Sequence, residues 1–531
     1  MSETAAYFDS KTLLVTGATG FLGKALLERI LWQLPQVRRV FLLMRAQSDN
    51  DPEGSVRVRA EETIFSSAIF ERLRRRHGPR FEAFIRNKIR VISGDISCAD
   101  LGLAPRQIDE LAAEVDLVIN VAAAVAFDER PDIALRSNTL GPSHLLTFAK
   151  RLRHPTLLHV STAFVCGRRT GCIPEQVPNG DMPPFRDTGM TNAPPYRIEN
   201  EIAWALRVAQ SVEDESRTSA ATSKFRNDAL SQLSSVRVTG KRLETVAERN
   251  RQRWIRENLA EQGLSRARRY GWFDTYTFTK SMGEQLLSTG NGVPVIILRP
   301  SIIESSLAQP EPGWIEGFRM SSPILFGYGR GELPDFPGKR DSVIDFIPLD
   351  FVVSAILVSL TTARDSNNPK VFQIASGSEN PLRLWDLMQY THEYFRQFPL
   401  RTSLQHVGQQ PWHYRSRDEF DQWLARRRKM LRFATTACEH LGFWPGATWL
   451  CRKLVARQIN FKRLEYLSRL YADYTRIACH FSSDNTRQMF QSLDAQDKRD
   501  FFFDPTAIDW PKYIREIHLP GVRRHVVKKA S

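Results

Sequence analysis

Between residues 12 and 165 the chain alternates short, almost wholly apolar runs with longer stretches whose apolar residues recur at helical spacing. The runs are "TLLVT" from Thr12, "RVFLLMR" ending at Arg45, "IRVISGD" ending at Asp95, "DLVINVAAAV" from Asp116 and "TLLHVSTAFV" from Thr156. Strands buried on both faces read this way, and the helices between them supply the covering layers. The clearest helical pattern follows Gly20, with Phe21, Leu22, Ala25, Leu26, Leu27 and Ile30 on one period. Strand and helix in regular alternation predict an α/β fold, a doubly wound parallel sheet with helices on both faces. Ligands of such sheets lie beyond the carboxyl ends of the strands. Asp95, Asn120, Ala122, Ala123, Ser161 and Thr162 stand at those ends.

The rhythm changes downstream. Residues 185–270 are charged, rich in Arg and mostly helix-forming. They read as an insertion, either a solvated surface segment or a lid that meets a ligand's phosphates. From 378 to 531, "LWDLMQYTHEYF", "DEFDQWLARRRKMLRFATTACEHL" and "LEYLSRLYADYTRIACHF" place apolar residues at helical spacing. Two domains are therefore expected, 1–377 with the insertion inside it and a helical 378–531.

Composition narrows the class of partner. The 74 Lys and Arg outnumber the 59 Asp and Glu, leaving a formal charge of +15. Such a surplus attracts anions. The basic residues are interspersed with acidic ones and form no stripe, which argues against nucleic acid. A ligand carrying several phosphates, or an acidic carrier protein, fits better. The 6 cysteines form no C-x-x-C pair and no His cluster accompanies them. A disulfide framework or a metal site is not expected, and a reducing, cytoplasmic setting is. "FVVSAILVSL" at 351–360 is too short to cross a bilayer, so any membrane contact is expected to be peripheral. Nothing in the composition bears on oligomeric state.

Gly17, Gly20 and Gly23 form G-x-x-G-x-x-G between the first strand and the first long helix. Glycines here permit a sharp turn and close backbone approach to a pyrophosphate, which the helix N-terminus then binds. The second strand ends in Arg45, where NAD-binding sites usually carry an acid. A basic residue there suits the 2′-phosphate of NADP. Further on, "FDTYTFTKSMGEQLL" sets Tyr276 four residues before Lys280, one helical turn apart on the same face. Alone, that pair is as well explained by a tyrosine stacked over a lysine stem.

Together, "TGATGFLG", "GD" at 94–95, "NVAA" at 120–123, "STAFV" at 161–165, "YTFTK" and "LRPSII" resemble the extended short-chain dehydrogenase/reductase superfamily, with its Rossmann-type sheet. That resemblance makes Tyr276 and Lys280 the catalytic pair. It implies that Thr162 polarises the substrate carbonyl. It implies nucleotide contacts from Thr16, Gly17, Thr19, Gly20, Phe21, Leu22, Gly23, Arg45, Asp95, Ile96, Ala122, Asn138, Tyr276, Lys280, Pro300 and Ile302. Asn138 either holds structure or positions a relay water. A nearby ammonium is expected to lower the Tyr276 pKa.

Beyond Lys280, "PGWIEG", "DFIPLDFVVSAIL" and "FFFDPTAIDWPKYIREIHLPGVRR" are similar to the alcohol-forming fatty acyl-CoA reductases and to plant male-sterility proteins. The resemblance implies NADPH-dependent reduction of fatty acyl-CoA, or acyl carrier protein thioesters, through an aldehyde to an alcohol. Two other outcomes stay open: a two-electron thioester reductase that releases aldehyde, and a non-catalytic NADP- or lipid-binding protein. One departure from the superfamily is plain. A far longer stretch than usual, holding the insertion, separates Thr162 from Tyr276.

Overall fold

A computed structural model of the chain describes all residues except 1, 49, 179–195, 234–239, 289–291, 334, 364–367, 401–411, 441–446 and 528–531. Parts of the expected insertion, 185–195 and 234–239, thus lie outside the described residues. The rest folds as two compact units that interleave along the chain. The first comprises Met1–Pro300, Val353–Ile374 and Ser482–Phe501; the second comprises Ser301–Val352, Ala375–Phe481 and Phe502–Ser531.

The first unit is built on a seven-stranded sheet. Its strands are β1 (Thr12–Thr16), β2 (Arg39–Met44), β3 (Ile89–Ser93), β4 (Leu117–Asn120), β5 (Leu157–Val160), β6 (Val295–Pro300) and β7 (Lys370–Ile374). Their order across the sheet is β7-β6-β5-β4-β1-β2-β3. Every pairing is parallel. Strand order reverses between β1 and β4, the position at which ligands of such sheets bind. β1, β4, β5 and β6 are buried along their whole length, which is why they read as unbroken apolar runs and not as alternating ones.

Residues 50–88 form a chain of short helical pieces, among them Pro52–Ala60, Glu71–His77 and Phe81–Lys88. Gly78, with φ +52°, and the following Pro79 interrupt the last two. The insertion is helical, as its composition implied: Ile198–Glu215, Ser219–Leu233 and Gly240–Arg269. It is not simply solvated. Glu201 is 1% exposed and accepts two hydrogen bonds from Arg266, at 2.7 and 2.8 Å, and one from the Tyr270 hydroxyl at 2.9 Å. The last of these helices leads into an aromatic cluster of Tyr196, Tyr270, Trp272 and Phe278.

In the second unit, short parallel pairs join Ile302–Glu304 to Phe346–Pro348 and Asp335–Pro337 to His413–Arg415. The distinctive "PGWIEG" and "HLPG" segments meet backbone to backbone. A Cβ on Gly521 would lie 2.1 Å from the Gly313 carbonyl oxygen. The Asp350 carboxylate accepts from the amides of Leu307, Ala308 and Gln309 at 2.8 to 3.0 Å, which fixes the loop leading into that contact.

Two long helices, Arg417–His440 and Ala447–Tyr471, pack on each other in this unit. Phe420, Leu424, Leu431 and Cys438 line the buried side of the first; Phe461, Leu464 and Ser468 line that of the second. Their outer sides carry a second apolar row, with Met430, Phe433, Val455, Ile459 and Tyr466 exposed, Phe433 at 79%. Cys98, Cys166, Cys172 and Cys479 are free. Cys438 is disulfide-bonded, a bond that the scattered spacing did not announce.

Arg299 in β6 and Glu284 in the helix Thr275–Leu287 form a buried forked ion pair. Arg299 Nη2 is 2.5 Å and Nε 3.0 Å from the carboxylate, with the two side chains 2% and 1% exposed. Removing one partner strands the other charge in the interior. Arg299→Ala should therefore destabilise the first unit by about 3–5 kcal/mol, measured as a lowered urea midpoint. The double change Glu284→Leu/Arg299→Met should cost less than Arg299→Ala alone.

Candidate active site

The turn after β1 is shaped by glycines. Gly17 has φ +74°, a conformation that side chains disfavour, and a Cβ there would sit 2.5 Å from the Ala122 amide nitrogen. A Cβ on Gly23 would lie 2.1 Å from the Gly17 carbonyl oxygen, so the helix closes directly onto the turn. Gly20 is exposed and stands at the N-cap of the helix Phe21–Gln33 without a side-chain cap. An uncapped helix N-terminus beside a backbone turn suits a phosphate. Thr19 and Phe21 are half-buried around it, and Leu22 is buried.

Arg45 is exposed just past the end of β2. Arg59, which sequence reasoning passed over, comes to the same place: its Nη1 donates to the Arg45 carbonyl at 2.7 Å. Two guanidinium groups thus stand at the end of β2, a donor set that fits a phosphomonoester. Asp95 follows β3 and is half-buried, its Oδ1 accepting from the Ser97 amide at 2.8 Å. The Ile96 side chain belongs to the core under the sheet. Taken together, the glycine turn, the open helix end and the arginine pair fit a dinucleotide.

Thr162 follows β5, is 5% exposed and caps the short turn Ala163–Cys166 by accepting from the Phe164 amide at 3.3 Å. The neighbouring Ser161 Oγ is buried and makes no hydrogen bond. Trp272 Nε1 donates to the Val165 carbonyl at 2.9 Å, tying the segment before the Tyr276 helix to this strand end. That helix, Thr275–Leu287, starts at Asp274, whose Oδ1 accepts from the Thr277 amide at 2.7 Å. Tyr276 is half-buried, with the Phe127 ring stacked on its own at 6.1 Å between centroids.

Lys280 is 0% exposed, and its ammonium nitrogen lies 2.6 Å from the Val160 carbonyl oxygen, two residues before Thr162. The same nitrogen is 3.1 Å from His159 Nε2. The i, i+4 pair is therefore no surface stack, because its lysine is anchored to the strand that carries Thr162.

The electrostatics depart from expectation in one respect. Burial, with the Asp274 charge adding to it, raises the Tyr276 hydroxyl above its ordinary range. Lys280 is lowered to about 7 by burial, against the opposing pull of Glu284. The tyrosine is thus held as the neutral, proton-bearing form, and the lysine is the group that titrates near neutrality. His159 is pushed well below its ordinary value by burial and by the Lys280 charge, so its ring is neutral.

Asn138 is fully buried and its polar atoms are engaged by the protein. Oδ1 accepts from the Ala124 amide at 2.8 Å, and Nδ2 donates to the Ala124 carbonyl and to Thr279 Oγ1. It clamps the loop after β4 to the Tyr276 helix. Ala122 donates its amide to Thr16 Oγ1 at 3.3 Å. Pro300 closes β6 and is buried, whereas Ile302 belongs to the second unit, paired with Phe346. Among the described residues no group of His, Cys, Asp and Glu is arranged to hold a metal ion.

Comparison with known proteins matches residues 15–356 to the NAD-binding male sterility protein family and residues 447–529 to its second, Sterile, part. A chloroplastic fatty acyl-CoA reductase 2 of Arabidopsis thaliana is 32% identical, over 98% of this chain and 79% of its own. An alcohol-forming fatty acyl-CoA reductase of Simmondsia chinensis is 30% identical over 99% of each chain. Among solved structures, the terminal R domain of the myxalamid biosynthetic pathway superposes with a TM-score of 0.55 at 17% identity, over 97% of this chain and 91% of that one. At that identity the likeness concerns the fold alone.

Proposed function

This chain belongs to the male sterility protein family, that of the fatty acyl-CoA reductases, and we propose that it reduces long-chain fatty acyl thioesters through the aldehyde to primary alcohols with NADPH. The observation that carries the reading is the Tyr276–Lys280 pair, whose buried lysine is bonded at 2.6 Å to the strand end bearing Thr162. The thiol carrier is CoA or an acyl carrier protein, and a chain of charge +15 suits either anionic partner. The arginine pair Arg45 and Arg59 is the reason for assigning the phosphorylated nucleotide.

A bound reduced nicotinamide supplies hydride to the carbonyl carbon. Negative charge then grows on the carbonyl oxygen. The Tyr276 hydroxyl, kept neutral by burial, can transfer its proton there, and the Thr162 hydroxyl can donate a second hydrogen bond. Lys280 in its ammonium form favours the phenolate left behind. The thioester adduct then collapses to the aldehyde, its hydroxyl proton returning to the Tyr276 phenolate as the C–S bond breaks and the thiolate leaves. The aldehyde develops charge on the same oxygen, so the same residues serve the second reduction. The sequence contains one such glycine turn, and of its two Tyr-x-x-x-Lys spacings, Tyr7–Lys11 and Tyr276–Lys280, only the second has its lysine bonded to the strand end that bears Thr162, so a double reduction uses this one site twice.

We also propose peripheral contact with an anionic lipid surface through the outer sides of the helices Arg417–His440 and Ala447–Tyr471. Val455, Ile459 and Tyr466 share one helical face with Lys462, and Met430 and Phe433 stand beside Arg426 and Lys429, all of them exposed. Apolar side chains interleaved with cations match the acyl boundary and the headgroups of such a surface. No helix among the described residues is long and apolar enough to cross a membrane.

Three outcomes check these assignments. With palmitoyl-CoA, two NADPH should be consumed per thiol released, and Tyr276→Phe should lower turnover on thioester and on added fatty aldehyde alike by roughly 100- to 10,000-fold while nucleotide binding persists. One NADPH per thiol, with aldehyde accumulating, would assign the aldehyde-releasing chemistry instead. Steady-state kinetics should favour NADPH over NADH, and Arg45→Ala or Arg59→Ala should each weaken NADPH about tenfold with little effect on NADH. Sedimentation with phosphatidylglycerol-containing vesicles should pull down the protein at low salt. Phosphatidylcholine vesicles should not, and the variants Phe433→Ser/Ile459→Ser and Arg426→Glu/Lys429→Glu should stay in the supernatant. Equal binding by those variants, or their loss of self-association in place of vesicle binding, would reject the lipid assignment.

A further inference from the structure

Behind Lys280 runs a line of buried polar side chains that the reaction as described does not use. Lys280 Nζ is 3.1 Å from His159 Nε2. His159 Nδ1 is 2.9 Å from Asn120 Nδ2, and Asn120 Oδ1 is 2.6 Å from Thr16 Oγ1. Thr16 immediately precedes the glycine turn and receives the Ala122 amide. Lys280, His159 and Asn120 are 0% exposed and Thr16 is 1% exposed. The line therefore crosses the interior from the Tyr276 helix through β5 and β4 to the end of β1.

Such a line has only two self-consistent polarities. If Lys280 is an ammonium it can only donate to Nε2. The neutral ring must then carry its proton on Nδ1 and donate to Asn120 Oδ1, and Asn120 Nδ2 donates to Thr16 Oγ1. If Lys280 is an amine its lone pair can accept, and every bond can reverse. Nε2–H donates to Nζ, Asn120 Nδ2 donates to Nδ1, and the Thr16 hydroxyl donates to Oδ1. The Asn120 amide as placed here has the second polarity. A ring that is neutral in both states, as its burial beside Lys280 dictates, can serve either one by exchanging tautomers while the Asn120 amide turns over.

We propose that His159 is a positioning residue for Lys280, acting with Asn120 and Thr16 as a reversible hydrogen-bond wire that accepts from the ammonium form and ties its protonation to the residue beneath the dinucleotide turn. The proposal rests on the reading of Tyr276 and Lys280 given above. Besides His159 on β5, the ionisable groups around the lysine are on its own helix: Tyr276 one turn before it and Glu284 one turn after. Glu284 is itself paired with Arg299 of β6, and Asp274 caps the helix start. Among the described residues His159 is thus the side chain hydrogen-bonded to the Lys280 nitrogen, the other partner being the Val160 carbonyl. Hydrogen bonding to a charged form favours that form. Deleting the imidazole should make the ammonium harder to keep and move its loss to lower pH.

The test is the pH dependence of kcat/KM for NADPH-driven reduction of a fatty aldehyde. Unmodified protein that reduces no aldehyde at any pH would defeat the underlying reading and not this inference in particular. Given activity, His159→Leu should retain kcat/KM within about threefold at pH 6 and lose roughly tenfold at pH 8, a shift of the basic limb by about one pH unit. His159→Gln, whose amide oxygen can still accept from Nζ, should restore most of the activity at pH 8. A basic limb that does not move, an equal loss at both pH values, or a glutamine variant no better than leucine would overturn the proposal. If His159→Leu does not fold, Asn120→Leu breaks the wire one bond further on and decides it: a limb shifted in the same direction supports the wire, an unshifted one rejects it.

Discussion

A lysine side chain held wholly out of water is the constraint around which the first unit is arranged. A buried ammonium is costly unless its protons are accepted. The Val160 carbonyl and the His159 ring answer that cost. To bring Lys280 to them the helix Thr275–Leu287 must lie close against its neighbours. Gly283 permits this, since a Cβ there would be 2.2 Å from the Asn138 carbonyl oxygen. One turn beyond, the Glu284–Arg299 pair fastens the same helix to β6, and at its start Asp274 caps it.

The consequence for chemistry is a division of labour between two titratable groups one helical turn apart. Burial raises the tyrosine and lowers the lysine to about 7. A proton donor that stays neutral beside a cation that titrates near neutrality is suited to oxygen atoms that gain charge only briefly. The inserted helices contribute to this placement. Through Glu201, Arg266 and Tyr270 they deliver the chain to Trp272, whose indole is bonded to the strand end after Thr162. The insertion is thus a brace for the Tyr276 helix as well as a surface feature.

Much of this was legible in the chain itself, for definable reasons. Strands buried on both faces leave unbroken apolar runs, so β1, β4 and β5 could be read directly, and the glycine turn declared itself by lying between a strand and a helix. The Tyr276–Lys280 pair was found by its spacing, and its setting by the motifs around it. What escaped was of another kind. Arg59 lies in a charged helical stretch in which no arginine stands out, and only the fold carries it to Arg45. His159 did leave a signal, a single imidazole inside the apolar run "LLHV", but a signal of that kind does not name its partner.

The sequence alone determined the α/β layering of the first unit, the position of the glycine turn, the one-turn spacing of Tyr276 and Lys280 and the helical nature of the later segments. Each follows from local periodicity, backbone stereochemistry or spacing within a single helix. The tertiary structure decided what depends on residues far apart in the chain. It joined Lys280 to Val160 and His159, committed Asn138 to a loop clamp, and set Arg59 beside Arg45. It also divided the chain into interleaved units, because 353–374 and 482–501 return to the first unit. It lowered the lysine and raised the tyrosine as well, since burial is a property of the packed whole and no stretch of sequence carries it.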